Sequence, residues 1–394
     1  MKKFYTLLSA ALLATGLLSA ASLKTAELKN VEIAVEAQES VSPVKKVRLT
    51  KVSGKSAQSR IKDPNETEFD PTGTYVSARL DEKTYAYETV VGILEITAKG
   101  EGYVMTGLMG EDVEIPVKLG KETVTGQDGK PVSVNVLKIP AAGSTTLFTE
   151  EGVDYKIWLV GYNAQGQFVR YTNETIDLEI DEYGLWWVYD ADFGAISDAG
   201  RGYNMGKFNA PIANASMTAV EKDENTGESY DMSVKMACVY PSETQISLLA
   251  FAGFPGIVTF NLDGVNLTAT NARIGSASTT TTQYDVFASN TKGGKNLSGT
   301  LSLGEDNETL IVTIPGTWYA TVSDLEQALY SYTNTVIILN DDDANAGVEE
   351  IVADSDVNAP VEYFNLQGVR VANPEAGQLV IKRQGKTVSK VIVR

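Results

Sequence analysis

The feature that most constrains the fold of this chain is a two-residue rhythm. Apolar and polar residues alternate from Tyr75 to Leu80, Val91 to Thr97, Tyr103 to Leu108, Val113 to Leu119 and Val132 to Ile139. They do so again from Tyr155 to Val160, Phe168 to Tyr171, Thr175 to Ile180 and Leu185 to Tyr189. A period of two sends successive side chains to opposite faces, which is the pattern of a half-buried strand. Turn residues separate the segments, among them Lys99-Gly100-Glu101-Gly102 and Gln127-Asp128-Gly129-Lys130, the second an Asp-Gly hairpin signal. Short strands at this spacing predict an all-β chain of antiparallel β-sandwich or barrel-like domains.

A second series follows the Gly/Asn-rich bridge Gly200 to Gly206: Asp231 to Val239, Gln245 to Phe251, Ile257 to Leu262, Val265 to Thr270, Leu297 to Leu303 and Thr309 to Pro315. Tyr103 to Leu119 matches Gln245 to Leu262: an apolar strand, a glycine corner (Gly110, Gly253), then an alternating strand ending in leucine. Thr175 to Val188 likewise matches Thr300 to Val312. The pattern is that of a diverged duplication, although two unrelated meanders can also look alike. One helix is expected, because Ser323-Asp-Leu-Glu326 has capping-box form and Leu325 and Leu329 are four apart. It would close one end of the second domain.

The ends differ from the body. Lys2 and Lys3 precede an apolar run from Phe4 to Leu18 and the small residues Ser19-Ala20-Ala21, which predicts a signal peptide over 1–21. The run is too short for a membrane span, and the mature chain offers no other candidate. Residues 22–70 read as a disordered polar, locally basic spacer. The expected organisation is then a β domain over 71–205, a second over 206–345, an acidic linker over 346–360 and a small β module over 361–394.

Composition removes whole classes of function. The chain has no histidine. Serine and cysteine nucleophiles usually need an imidazole base, and most catalytic zinc and non-haem iron sites need imidazole ligands. A net charge of −18 argues against nucleic acid as a partner. The single cysteine, Cys238, cannot form an internal disulfide and sits among apolar neighbours, as a small buried residue would. No Walker, Rossmann or nucleophile-elbow pattern is present, and no cofactor is implied.

What remains is carboxylate chemistry, a serine-lysine pair, or binding without chemistry. Trp186-Trp187-Val188-Tyr189-Asp190-Ala191-Asp192 places alternating acids beyond an aromatic strand. If that strand continues, Asp190 and Asp192 share a face, as a glycosidase pair would, and Trp186, Trp187 or Trp158 could stack on a sugar ring. The bland reading is core tryptophans with solvated acids at a strand end. Asn340-Asp341-Asp342-Asp343 offers oxygen ligands of the kind calcium prefers, but the spacing is not that of an EF-hand, and an acidic linker explains it better.

Two resemblances follow from particular residues. The tail, with Asn365-Leu366-Gln367-Gly368, Gly377 before an apolar strand and the closing stretch from Lys386, resembles the C-terminal sorting domain that Bacteroidetes attach to proteins exported by the Por (type IX) secretion system. That resemblance implies delivery to the cell surface through the export machinery, with the periplasm as the alternative. It departs from the family in having Gln378-Leu379 where an aromatic usually follows the second glycine, and in its shortness. The meander around Gly102-Tyr-Val-Met-Thr-Gly-Leu-Met-Gly110 resembles calycin-like or lipocalin-like modules, which implies a cupped sheet able to hold an apolar or glycan ligand. The expected function is a secreted, surface-associated binding or attachment protein, with an extracellular glycan or host or cell-surface macromolecule as partner. The alternatives are a carboxylate-dependent glycan hydrolase and a structural envelope protein without a ligand.

Overall fold

A computed structural model describes residues 33–34, 37–39, 69–81, 86–109, 113–125, 130–242, 244–278, 282–304 and 309–340. In the C-terminal segment it describes residues 361–364, 370–371, 379–384 and 387–392. The expected signal peptide, most of the spacer, the linker over 346–360 and the Asp341 to Gly347 stretch lie outside the described residues. The chain divides into two compact units, Met1–Asn345 and Ala346–Arg394.

The larger unit is all-β, and two short strands come first, β1 (Ile33–Ala34) and β2 (Ala37–Glu39). A five-strand meander follows: β3 (Gly73–Leu80), β4 (Tyr87–Lys99), β5 (Gly102–Thr106), β6 (Ile115–Thr125) and β7 (Pro131–Pro140). The chain then leaves for β8 (Thr146–Glu150), β9 (Val153–Tyr162) and β10 (Phe168–Tyr171), and returns as β11 (Thr175–Asp181) and β12 (Gly184–Trp187). It leaves again for β13 (Asp192–Ser197) and β14 (Arg201–Gly206), so the stretch read as a bridge is a strand, and returns as β15 (Ala210–Pro211). The returning strands form one sheet in the order β15-β12-β11-β7-β6-β5-β4-β3. Bridges Tyr75 to Ile212 and Ala78 to Asn209 join its two ends, so eight strands close into a ring.

The second half repeats this plan. Five strands, β16 (Ala215–Asp223), β17 (Ser229–Ser242), β18 (Gln245–Leu249), β19 (Ile257–Asp263) and β20 (Asn266–Ala269), are followed by a departure, β21 (Arg273–Ser278) and β22 (Gln283–Ser289). Then come β23 (Leu297–Leu303) and β24 (Leu310–Ile314), a departure as β25 (Trp318–Val322), and the closing strand β26 (Gln327–Leu339). β16 pairs with both β17 and β26, so these eight strands also form a closed ring. In both halves the strand of the first departure pairs with that of the second, β9 with β13 and β22 with β25. The segments matched by pattern fall on equivalent strands: β5 and β18 are third in their rings, β6 and β19 fourth, and β11-β12 and β23-β24 sixth and seventh.

The expected helix is absent from this region. Ser323–Leu325 forms one 3-10 turn whose N-cap is Val322, a residue without a side-chain acceptor, and Ser323 Oγ donates to the Gly293 carbonyl. Glu326 then takes a left-handed φ of 51°, and β26 begins at once. Thr333, Thr335, Val336, Ile337 and Ile338 favour the pleated strand, and pairing with β16 on one side and β25 and β24 on the other outweighs the local helix signal.

Each ring has its own apolar core, and a third, smaller core joins them: Val76, Ala78 and Val90 from the first meet Ala237, Val239 and Leu249 from the second. Val90 N donates to Pro255 O at 3.0 Å, and Asn214, in the link, bonds both N and O of Cys238. The rings therefore touch through outward faces of β3-β4 and β17-β18. The smaller unit is a four-strand sheet in the order β28-β27-β29-β30, from β27 (Val361–Phe364), β28 (Arg370–Val371), β29 (Leu379–Gln384) and β30 (Thr387–Ile392). Asn365, Leu366, Gln367, Gly368, Gly377 and Lys386 lie outside its described residues.

Candidate functional site

Of the aromatic and acidic residues singled out by the sequence, Asp192 and Trp158 share a face of the paired strands β13 and β9, while Trp186, Trp187 and Asp190 are held elsewhere. Trp186 is buried, and its Nε1 donates at 3.0 Å to Asp181 Oδ1, which also accepts the backbone N–H groups of Tyr183 and Gly184. It therefore folds over the β11-β12 turn. Trp187 is half-buried against Phe208 and Tyr189, with Nε1 donating to the Ala191 carbonyl at 2.9 Å. β12 ends at Trp187, so Asp190 falls in an exposed bend while Asp192 opens β13 and accepts Asn204 Nδ2 at 2.8 Å. The two acids thus sit on different elements and not on one strand face.

Trp158 is on β9, on the face of the departure sheet opposite the main core. It packs with Val160, Phe168 and Ile196, and the Arg170 guanidinium lies 4.5 Å from its ring centre. A cation already occupies that aromatic face. Two other carboxylates do approach each other on the first ring, where Lys138 Nζ lies 2.6 Å from Glu122 and 3.6 Å from Asp177. The Glu122 hydrogen bond is the main cause holding the Lys138 ammonium above its ordinary pKa. Thr175 Oγ1 donates to Asp177 as well, so the group ties β6, β7 and β11 together across the sheet.

Sequence reasoning missed a different arrangement, the contrast between the two ends of the second ring. One end is stoppered by aromatic rings. Trp318 stacks on Tyr332 at 4.0 Å between centres and 12° between planes, Phe251 lies 5.4 Å from Trp318, and all three are fully buried. Trp318 Nε1 donates to Thr335 Oγ1 at 2.9 Å. Burial raises the Tyr332 hydroxyl far above the usual phenol range, with the Glu221 charge adding to the shift.

Among the described residues, the other end is apolar and carries no such stopper. The alternation that buries Leu297 continues inward along β23 through Leu301 to Leu303, and Leu303 is 56 % exposed. Leu303 pairs with Leu310 of β24, and Leu262 of β19 pairs with Leu267 of β20. Leu262, Leu301, Leu310 and Tyr240 are half-buried on top of the core. Tyr240 donates to Asn340 Oδ1 at 3.3 Å and is raised above the ordinary phenol pKa, chiefly by burial. The signal was present in the sequence as leucines in the core-facing rows of β19, β23 and β24. It could be read only once the ring was known to close and to bring those rows to one rim.

Cys238 lies below this opening. Burial pushes its thiol up to about 12, so little thiolate exists at neutral pH. Iodoacetamide at pH 8 is expected to leave it unmodified in the native protein and to alkylate it within minutes in denaturant, as intact mass would show. Native-state alkylation at the rate of free cysteine would mean that the opening reaches far deeper.

No helix among the described residues is long and apolar enough to cross a membrane. Comparison of the chain with known protein families, curated proteins and solved structures finds no match.

Proposed function

We propose that this is an exported, surface-associated binding protein without catalytic activity, and that it holds the apolar part of a small ligand at the open end of the second ring. The observation that carries this reading is the rim of half-exposed inward-row residues, Tyr240, Leu262, Leu301, Leu303 and Leu310, above a closed ring whose far end is stoppered. Apolar side chains left wet at the mouth of a small barrel gain about 25 cal/mol per Å² when a ligand covers them. Concave apolar sites with few polar groups are the usual form of small-molecule sites. Export is supported by the N-terminal charge and apolar pattern and by the sorting-like tail. The hydrolase alternative lacks support in the geometry, since Asp190 and Asp192 occupy different elements.

The test is titration with an environment-sensitive naphthalene fluorophore, competed by a long-chain alkyl carboxylate. Saturable, competable binding is expected, and Leu303→Glu should weaken it at least tenfold, about 1.4 kcal/mol, with the melting temperature unchanged. Because Leu303 is mostly exposed, the fold tolerates the charge. Binding that is absent, or indifferent to the substitution, would sink the proposal.

A further inference from the structure

The stoppered end of the second ring carries charge as well as aromatic rings. On β16 the residues that enter the core are Ala215, Met217 and Ala219, and the same row continues to Glu221 and Asp223 at the end of the strand. On β17 the core row runs back from Met236 and Val234 through Met232 to Tyr230. On β26 Tyr332 belongs to that core and Tyr330 packs against it. The strand register sets these residues beside one another. Glu221 lies between Tyr230 on one neighbouring strand and Tyr332 on the other, and Asp223 lies opposite Tyr330. Directly opposed side chains share a face, with Cβ atoms about 5 Å apart. Phenol, carboxylate and phenol therefore form a row across three strands, and a second carboxylate and phenol stand next to it.

Packing holds the rings in place. Tyr332 stacks on Trp318, while Tyr330 lies 6.5 Å from Tyr332 and meets Phe254 edge-on at 6.3 Å. Asp223 is fixed as well, because its Oδ1 accepts the backbone N–H groups of Asn225 and Thr226. The Tyr332 hydroxyl is wholly buried and has no hydrogen-bond partner among the described residues. Its oxygen lone pairs add to the negative lining of the row. The rest of the row stays within reach of water: Glu221, Asp223 and Tyr330 are half-buried, and Tyr230 is 53 % exposed.

The carboxylates act on the phenols around them. Burial lifts Tyr330 to about 12, and the charges of Glu221 and Asp223 add to the rise. Tyr230 is raised chiefly by its bond to Glu228, with Asp223 and Glu221 contributing. Lys222 and Lys292 pair with Glu224 on the opposite face, where Ser331, which alternates with the two tyrosines of β26, also donates to it.

β17 and β26 flank β16, so the backbones that carry Tyr230 and the β26 tyrosines stand about 10 Å apart. The midpoint over β16 is then about 5 Å from either side, inside the ~6 Å over which the face of a ring attracts a cation. We infer that this corner of the second ring binds a quaternary ammonium group, held between Tyr230 and Tyr330 with Glu221 and Asp223 as its counter-charge. Methyl groups on the nitrogen cover the rings, and the spread charge sheds its water more readily than a bare ammonium does. The site is built from the stoppered end, so it stands independently of the apolar rim.

Choline and neohexyl alcohol, in which carbon replaces the nitrogen, separate charge from shape. Each is titrated into the full-length protein at low salt and followed by ligand-observed NMR. Saturable choline binding is expected, about tenfold tighter than that of the alcohol. Glu221→Gln and Tyr230→Leu should each weaken it about fivefold, since one is isosteric and the other alters a mostly exposed ring. Lys222→Gln, on the opposite face, should not weaken it. Equal binding of choline and the alcohol would reduce the site to an apolar surface and overturn the proposal, and that comparison needs no variant. Absence of choline binding, or binding that survives both Glu221→Gln and Tyr230→Leu, would overturn it as well. Sedimentation with phosphatidylcholine vesicles identifies the source of the group: co-sedimentation that choline reverses upholds the site with a lipid headgroup as occupant, and choline binding without it upholds the site for a free small molecule.

Discussion

Trp318→Ala is expected to lower the free energy of unfolding by about 4–5 kcal/mol, the largest loss from any single side chain in the second ring. Removing a fully buried tryptophan costs about 3–5 kcal/mol through lost transfer energy and the cavity left behind. Here the truncation also removes the stack on Tyr332 and leaves the Thr335 hydroxyl, itself buried, without its donor. Against a total stability of about 5–15 kcal/mol for a typical domain, such a loss decides whether the ring stays folded. Urea unfolding followed by tyrosine and far-UV signals measures it. A cost below about 1 kcal/mol would show that the rings do not form a packed stopper, and would remove the contrast between the two ends on which the binding site rests. Trp187→Ala, at a half-buried ring, should cost about half as much.

Gly256→Ala should be nearly as damaging, for a steric reason. A Cβ at Gly256 would lie 2.2 Å from Ile274 Cα, 2.4 Å from its carbonyl carbon and 2.5 Å from its oxygen. All three are backbone atoms, so no side chain can swing aside; β21 or the start of β19 must move. The neighbouring carbonyl, Pro255 O, accepts the Val90 N–H across the contact between rings, so the displacement reaches that contact too. Overpacking of this kind costs about 3 kcal/mol or more. Gly264→Ala is the comparison: φ is +61° there and nothing lies within 4 Å, so only the left-handed backbone penalty of about 1 kcal/mol applies. Denaturation midpoints of the two variants should differ accordingly, and equal losses would mean that the approach of Gly256 to β21 is looser than described.

These two positions show what the sequence could and could not display. Alternation located β9, β10, β11, β18, β19, β23 and β24 to within a few residues, because the polar residues of each fall on one face of the strand. It missed β13, Asp192–Ser197, whose residues are buried on nearly every position, since both faces of that strand are covered. It also missed β16 and most of β26, which pair with one another, and took the start of β26 for a helix. Gly253 adopts φ +75°, whereas Gly256 is required by the approach of a distant strand, a tertiary fact invisible locally. The aromatic-acid segment misled because the strand was assumed to continue beyond Trp187. The leucines at the ring opening each looked like ordinary core residues, and only closure of the sheet distinguishes a rim from a centre.

Ring closure has a further consequence for how such a chain grows. Ala215, the first residue of the second ring, pairs with Leu339, the last. Entry and exit are therefore adjacent, and the ring is topologically a bead whose string enters and leaves through one eyelet. A unit of that kind can be copied in tandem without rerouting the polypeptide, and extra strands can be added between its fifth and sixth or seventh and eighth strands without reopening it. The larger departures of the first ring and the smaller ones of the second occupy those same two places. The difference between the two rings in strand plan is thus confined to attachments, while the eight-strand frame keeps its order.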